Sequence, residues 1–213
     1  MRILIADNHA IFRRGLRGLL ESRSGWEICS EASNGREAVQ EVQRRKPDVA
    51  ILEIRMPEMN GLEAARRITK DAPGTEVLIM TADTSREAVH QALQAGARGY
   101  VLKSDAECNI VDAVETLGRH KPYLTPAIAD LVLDEYLQRM QSKGDEPADQ
   151  LTSREREVVQ LLAEGKTNKE VAGVLRIAVK TAEAHRANTM HKLRMHSLSE
   201  LVRYAIRNKI TAA

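Results

Sequence analysis

Apolar and polar positions over the first 120 residues alternate between two textures. Short β-rich apolar runs at 2–6, 28–32, 49–52, 77–81 and 100–102 are each followed by helical periodicity, at 10–22, 36–45, 61–71, 85–95 and 107–117. Five strand–helix units in succession predict an α/β fold, a doubly wound five-stranded parallel sheet with helices on both faces. Within the first helix Ile11, Leu16, Leu19 and Leu20 are expected on one face, and within the second Ala38 and Val42.

The texture changes after Lys121 and Pro122. A further helical stretch at 126–140 carries Ile128, Leu131, Val132 and Tyr136 at helical spacing, then the polar run SKGDEPADQ at 142–150 breaks the pattern. From there on the chain reads as all-α, a four-helix unit at 153–164, 168–175, 179–193 and 197–208, with the second and third forming a helix-turn-helix. Thr152 with Glu155 three residues on makes a capping box, and Asn168 is expected to cap the second helix of the set. Leu198, Leu201, Val202, Ala205 and Ile206 form a stripe on the fourth, suited to core packing or a dimer seam. The expected organisation is one domain over 1–121, a linker with a helix over 122–149 and a second domain over 150–213.

Charge sharpens this division. From residue 150 onward 12 Lys and Arg face 6 Asp and Glu, whereas the preceding part holds 20 against 24, so a basic domain follows an acidic one. A basic helical unit suits a polyanion such as double-stranded DNA. No apolar run approaches the roughly 20 residues of a membrane span and no cleavable signal pattern opens the chain, so the cytoplasm and no membrane partner are expected. Cys29 and Cys108 lack paired spacing or neighbouring histidines and read as buried reduced thiols.

In an open parallel sheet, ligands gather beyond the carboxyl ends of the strands. Those ends carry Asp7-Asn8-His9, Glu53, Thr81 and Lys103. Carboxylate oxygens suit Mg²⁺, while an ammonium and a hydroxyl suit phosphoryl oxygens. Singly, each is an ordinary polar residue at a loop start.

The motifs ILIADNHAIFRRGL, AILEIRMPEMNGLEA, VLIMTAD and GARGYVLKS resemble those of flavodoxin-like receiver domains of two-component response regulators. The run LTSREREVVQLLAEGKTNKEVAGVLRIAVKTAEAHRANTMHKL resembles the helix-turn-helix of the NarL/FixJ (LuxR-type) subfamily, so the resemblance covers essentially the whole chain. It implies a phosphoacceptor aspartate after the third strand, supplied by a histidine kinase in a phosphorelay. It also implies two carboxylates that bind Mg²⁺, a Ser/Thr and a Lys that contact the phosphoryl group, and an aromatic residue that switches rotamer. Asp7, Thr81, Lys103 and Tyr100 fill their expected places.

Two positions depart from the pattern. Glu53 stands at the acceptor position and Asn8 where a second acidic residue is usual. Glutamate moves its carboxylate outward by about 1.5 Å, one C–C bond. Such a displacement costs on the order of a hundredfold in a reaction that depends on alignment. A neutral amide at Asn8 weakens a Mg²⁺ site of Asp7, Asn8 and Glu53. The expectation is impaired or absent aspartyl phosphorylation. Glu53 then either reaches Lys103 as a stand-in for the phosphorylated state or forms a salt bridge that switches nothing.

In the helix-turn-helix, Lys180, Thr181, Glu183, Ala184, His185, Arg186, Ala187 and Asn188 cluster on the recognition helix. The resemblance puts Glu183, Ala184 and Ala187 near base edges, and Lys180, Thr181, His185 and Lys192 at phosphates; Arg186 and Asn188 are candidates for either DNA or solvent. Here too the chain departs from its relatives: Ala178 lacks a capping oxygen, Ala182 and Thr189 weaken the buried face, and Arg194 replaces a glycine after the helix. The leading reading is a non-enzymatic transcription regulator that binds DNA as a homodimer. The alternative is a protein-interaction module, a receiver with weakened DNA binding. A flavodoxin-like enzyme shares the sheet pattern, but the sequence has no Gly-rich phosphate loop to support it.

Overall fold

The computed structural model describes residues 1–141, 151–193, 195 and 197–211, with the side chains at 135, 136 and 138–141 outside that description. The chain divides into two compact units, 1–145 and 146–213.

The first unit alternates strands and helices: β1 Arg2–Ala6, α1 Ala10–Glu21, β2 Glu27–Ala32, α2 Gly35–Arg45, β3 Val49–Leu52, α3 Gly61–Asp71, β4 Glu76–Thr81, α4 Arg86–Gln94, β5 Gly99–Leu102 and α5 Ala106–Gly118. A short 3-10 turn at Lys103–Asp105 leads into α5. The sheet has six strands rather than the expected five, in the order β2-β1-β3-β4-β5-β6, all parallel. The added strand, β6 Tyr123–Leu124, pairs Tyr123 with Gly99 and Leu124 with Tyr100. A strand of two residues is too short to show a period, so only the partner strand reveals it. The segment expected as a linker thus extends the sheet. Its helix, α6 Pro126–Gln141, buries Ile128 in the core and packs Leu131 and Val132 against it. Tyr136 and residues 142–150 lie outside the described side chains and residues.

The central strands β3 and β4 are buried along their whole length, which is why they read as continuous apolar runs. One core cluster joins the sheet to α2, α3, α4 and α6, and the other joins it to α1 and α5. On α1, Leu16 and Leu20 face the sheet, whereas Ile11 is 87% exposed, contrary to the shared face expected of it. At 3.6 residues per turn, five residues place Ile11 about 140° from Leu16. Cys29 is half-buried and Cys108 exposed, so the second thiol is not the core residue its apolar surroundings suggested.

The second unit holds α7 Ser153–Ala163, α8 Asn168–Leu175, α9 Val179–Lys192 and α10 Leu198–Arg207 around a core that includes Val158, Leu161, Val171, Leu175, Ala182 and Leu201. Thr152 caps α7 in a full capping box with Glu155. The cap of α8 is Thr167, boxed with Glu170, and not Asn168, which is the first helical residue. A Thr with Glu three residues later satisfies two orphan N–H groups, where Asn168 would satisfy one.

Candidate functional site

At the carboxyl edge of the sheet, β1, β3 and the turn after β5 bring Asp7, Glu53 and Lys103 together. Lys103 Nζ lies 2.5 Å from Asp7 Oδ2 and 2.7 Å from Glu53 Oε2. Asp7 is fully buried and Glu53 is 4% exposed. Two carboxylates at this depth would repel strongly, and the ammonium between them removes most of that cost. The Asp7 contact is a charge contact rather than a directed hydrogen bond. Gly61 holds α3 close behind: a Cβ there would collide with the Glu53 carbonyl oxygen.

The remaining oxygens are also engaged. Asp7 Oδ1 accepts from the His9 N–H at 2.8 Å and lies 3.1 Å from His9 Nδ1, and Glu53 Oε1 accepts from the Arg55 N–H at 3.1 Å. Phe12 closes the pocket from α1, with Lys103 Nζ 4.4 Å from its ring centroid. A cation–π partner has no sequence signature, because it depends on where the turn after β5 delivers the lysine.

Thr81, 1% exposed, turns its hydroxyl to the following loop, accepting from the Asp83 N–H at 3.3 Å. Tyr100 is fully buried and donates its hydroxyl to the Asp83 carbonyl at 2.7 Å. Burial, with the charges of Asp83 and Glu53 nearby, pushes the phenol well above its ordinary value, so it stays a neutral donor. The pocket therefore assembles Asp7, Glu53 and Lys103 in direct contact, with Thr81 and Tyr100 joined through Asp83 rather than through the carboxylates.

Asn8 is exposed. Among the described residues no group of three or more His, Cys, Asp or Glu is placed to hold a metal ion. Two carboxylates already shared with an ammonium, plus one neutral amide, do not match the anionic oxygen cage that a small dication requires. The donor set does not fit a tightly held Mg²⁺.

In the second unit, Lys180, Thr181, Glu183, Ala184, Ala187 and Asn188 are exposed on α9, while His185 and Arg186 are half-buried. Positions 180, 183, 184, 187 and 188 share one outward face. Two basic candidates have partners within the unit: Arg186 Nη1 reaches Asn168 Oδ1 at 3.5 Å, and Lys192 Nζ reaches Glu155 Oε2 at 3.0 Å. Burial pushes Glu155 up, but the Thr152 N–H and the Lys192 ammonium outweigh it and hold its carboxyl below the ordinary range. Ala178 gives α9 no side-chain cap, and Ala182 and Thr189 are each 1% exposed. The Thr189 hydroxyl is buried without a hydrogen-bond partner. Arg194 lies outside the described residues.

The chain matches the response regulator receiver domain over residues 3–115 and the luxR family of bacterial regulatory proteins over 149–205. It is 36% identical over 214 residues to the oxygen regulatory protein NreC of Staphylococcus carnosus, an alignment covering 99% of each chain. Among solved structures it is similar to a LuxR-family two-component response regulator from Aurantimonas sp. SI85-9A1, with 32% identity, a TM-score of 0.61, and coverage of 64% of this chain and 97% of the other. The RcsB–DNA complex shares the fold at 23% identity and a TM-score of 0.58, covering 96% of both chains.

Proposed function

This chain belongs to the LuxR-type response regulators, and from that premise we propose that it acts without a phosphoryl group, its receiver pocket held by the Glu53–Lys103 contact. Like its family, it is a DNA-binding regulator of transcription. The finer reading rests on one observation: Lys103 Nζ within 2.7 Å of Glu53 Oε2, where a receiver's lysine would otherwise meet phosphoryl oxygens. In this reading the glutamate carboxylate substitutes for part of the phosphoryl charge. No step runs through Mg²⁺.

The same proposal assigns α9 to the major groove of double-stranded DNA, with Glu183, Ala184 and Ala187 toward base edges and Lys180, Thr181 and His185 toward phosphates. Lys192 exchanges Glu155 for a phosphate on binding, and a homodimer reads paired half-sites. No helix of the described residues is long and apolar enough to cross a membrane, and we place the regulator in the cytoplasm. A histidine kinase is then a dispensable partner and the chain is not an enzyme.

A second reading, a protein-interaction module with weakened DNA binding, draws on the buried unpartnered Thr189 hydroxyl and the uncapped start of α9. Genomic footprinting of untreated protein and of Glu53→Asp, each with and without acetyl phosphate and Mg²⁺, separates the two. The proposal expects specific footprints from untreated protein, unchanged by the phosphodonor, and no acyl phosphate by mass spectrometry. Stoichiometric acyl phosphate on the native chain overturns it. Absence of any salt-dependent footprint supports the interaction module.

A further inference from the structure

Asp83, in the loop between β4 and α4, is bound at every polar atom that loop offers. Its N–H donates to Thr81 Oγ1 at 3.3 Å, its carbonyl accepts from Tyr100 at 2.7 Å, and its Oδ1 accepts from the Ser85 N–H at 3.0 Å. Its Oδ2 lies 3.5 Å from Arg55 Nη2. Arg55 stands two residues past Glu53 and donates its own N–H to that carboxylate. The contacts therefore run without a break from the acceptor position, through the loop after β3, to the loop after β4 and the buried phenol of β5. Ser85, in turn, caps α4 by accepting from the Ala88 N–H, and the adjoining Arg86 pairs with Asp134 on α6 at 3.2 Å.

We infer that Arg55 and Asp83 form a latch that holds Tyr100 inward and seats the start of α4, linking Glu53 to that helix through the Arg55–Asp83 pair. Thr81 braces the same loop, its hydroxyl accepting from the Asp83 N–H. Asp83 is 7% exposed on its side chain and Arg55 58%. The aspartate is the fixed half of the pair and the arginine the releasable half. Arg55 is a positioning residue: it acts on Tyr100 through Asp83. The assignment rests on the proposed phosphoryl-independent pocket for its meaning, but its readout does not.

The test uses the full chain labelled with 3-fluorotyrosine, the Tyr100 resonance being assigned by Tyr100→Phe. Arg55→Gln removes the charge, Asp83→Asn removes it while keeping the oxygen that accepts from Ser85, and Arg55→Lys restores it. Fluorine NMR reads the solvent-isotope shift of Tyr100, and thermal melting verifies that each variant folds. The expected result is a rise of about two- to fivefold in the solvent-exposed population of Tyr100 in Arg55→Gln and Asp83→Asn, the range a half-exposed ion pair supplies, with recovery in Arg55→Lys. A Tyr100 resonance unchanged in both charge-removing variants overturns the latch. An equal change in Arg55→Lys overturns it too, because the charge would then be immaterial. Acyl phosphate formation on the native chain would remove the phosphoryl-independent reading and leave the Tyr100 result standing.

Discussion

Lys103 Nζ sits between two buried carboxylates, 2.5 Å from Asp7 and 2.7 Å from Glu53. The lysine is 15% exposed on its side chain, so its own desolvation is moderate while that of its partners is nearly complete. Removing it leaves two like charges facing each other in low dielectric.

Lys103→Met is therefore expected to destabilise the first unit by about 3 kcal/mol, in the range for stranding a buried charge. Lys103→Met with Glu53→Gln should recover part of that loss. Urea denaturation followed by circular dichroism measures both, and a loss under about 1 kcal/mol would show that the carboxylates find other compensation.

The Thr189 hydroxyl, buried without a partner, is a cost within the second unit. Thr189→Val exchanges it for a methyl of similar size and should stabilise by about 1 kcal/mol, the lower end of the penalty for an unsatisfied polar group. A lower melting temperature for this variant would mean the hydroxyl is satisfied in solution.

Helix α9 begins at Ala178 with no side chain to accept from its first N–H groups. Ala178→Ser is expected to add about 1 kcal/mol of stability. Differential scanning calorimetry would register it as an upward shift of the transition belonging to the helical unit, and the absence of a shift would mean water already serves those groups equally well.

Glu155 links acid stability to the same helix through Lys192. Its folded pKa is depressed, so its stabilisation is fully present above the ordinary carboxylate value of 4.5 and fades as pH falls through the lower folded value. Glu155→Gln should lower the denaturation midpoint at pH 7 and converge with the native chain once pH falls below the depressed folded value. A gap that stays constant with pH would assign the effect to the cap geometry rather than to the charge.

Lys180 is exposed at the first turn of α9. Lys180→Ala should weaken binding to all DNA sequences alike and reduce the slope of log affinity against log salt by about 1. A change confined to one base position, measured by anisotropy across operator variants, would place Lys180 at a base edge instead.

Alternating runs and helical periods determined most of the architecture, because burial against a sheet imposes its period on every residue of an element. They determined the β3 and β4 cores and, with the Thr-x-x-Glu spacing, the capping box at Thr152 and Glu155. They also brought Asp7, Glu53, Thr81 and Lys103 to the strand ends, since the topology of a parallel sheet alone places those positions side by side. What periodicity could not carry was decided by contacts between distant segments. β6 exists because Gly99 and Tyr100 offer an unpaired edge to residues 123 and 124. Phe12 meets Lys103 from a distant part of the chain, and Asp83 joins Arg55 in the loop after β3 to Tyr100 on β5. Ile11 points to solvent although it is apolar, because the phase of α1 is fixed by Leu16 and Leu20 packing on the sheet. A sequence specifies which groups are available at each strand end, whereas the distance and angle between them follow from how the helices seat on the sheet, and those distances let one lysine hold both carboxylates.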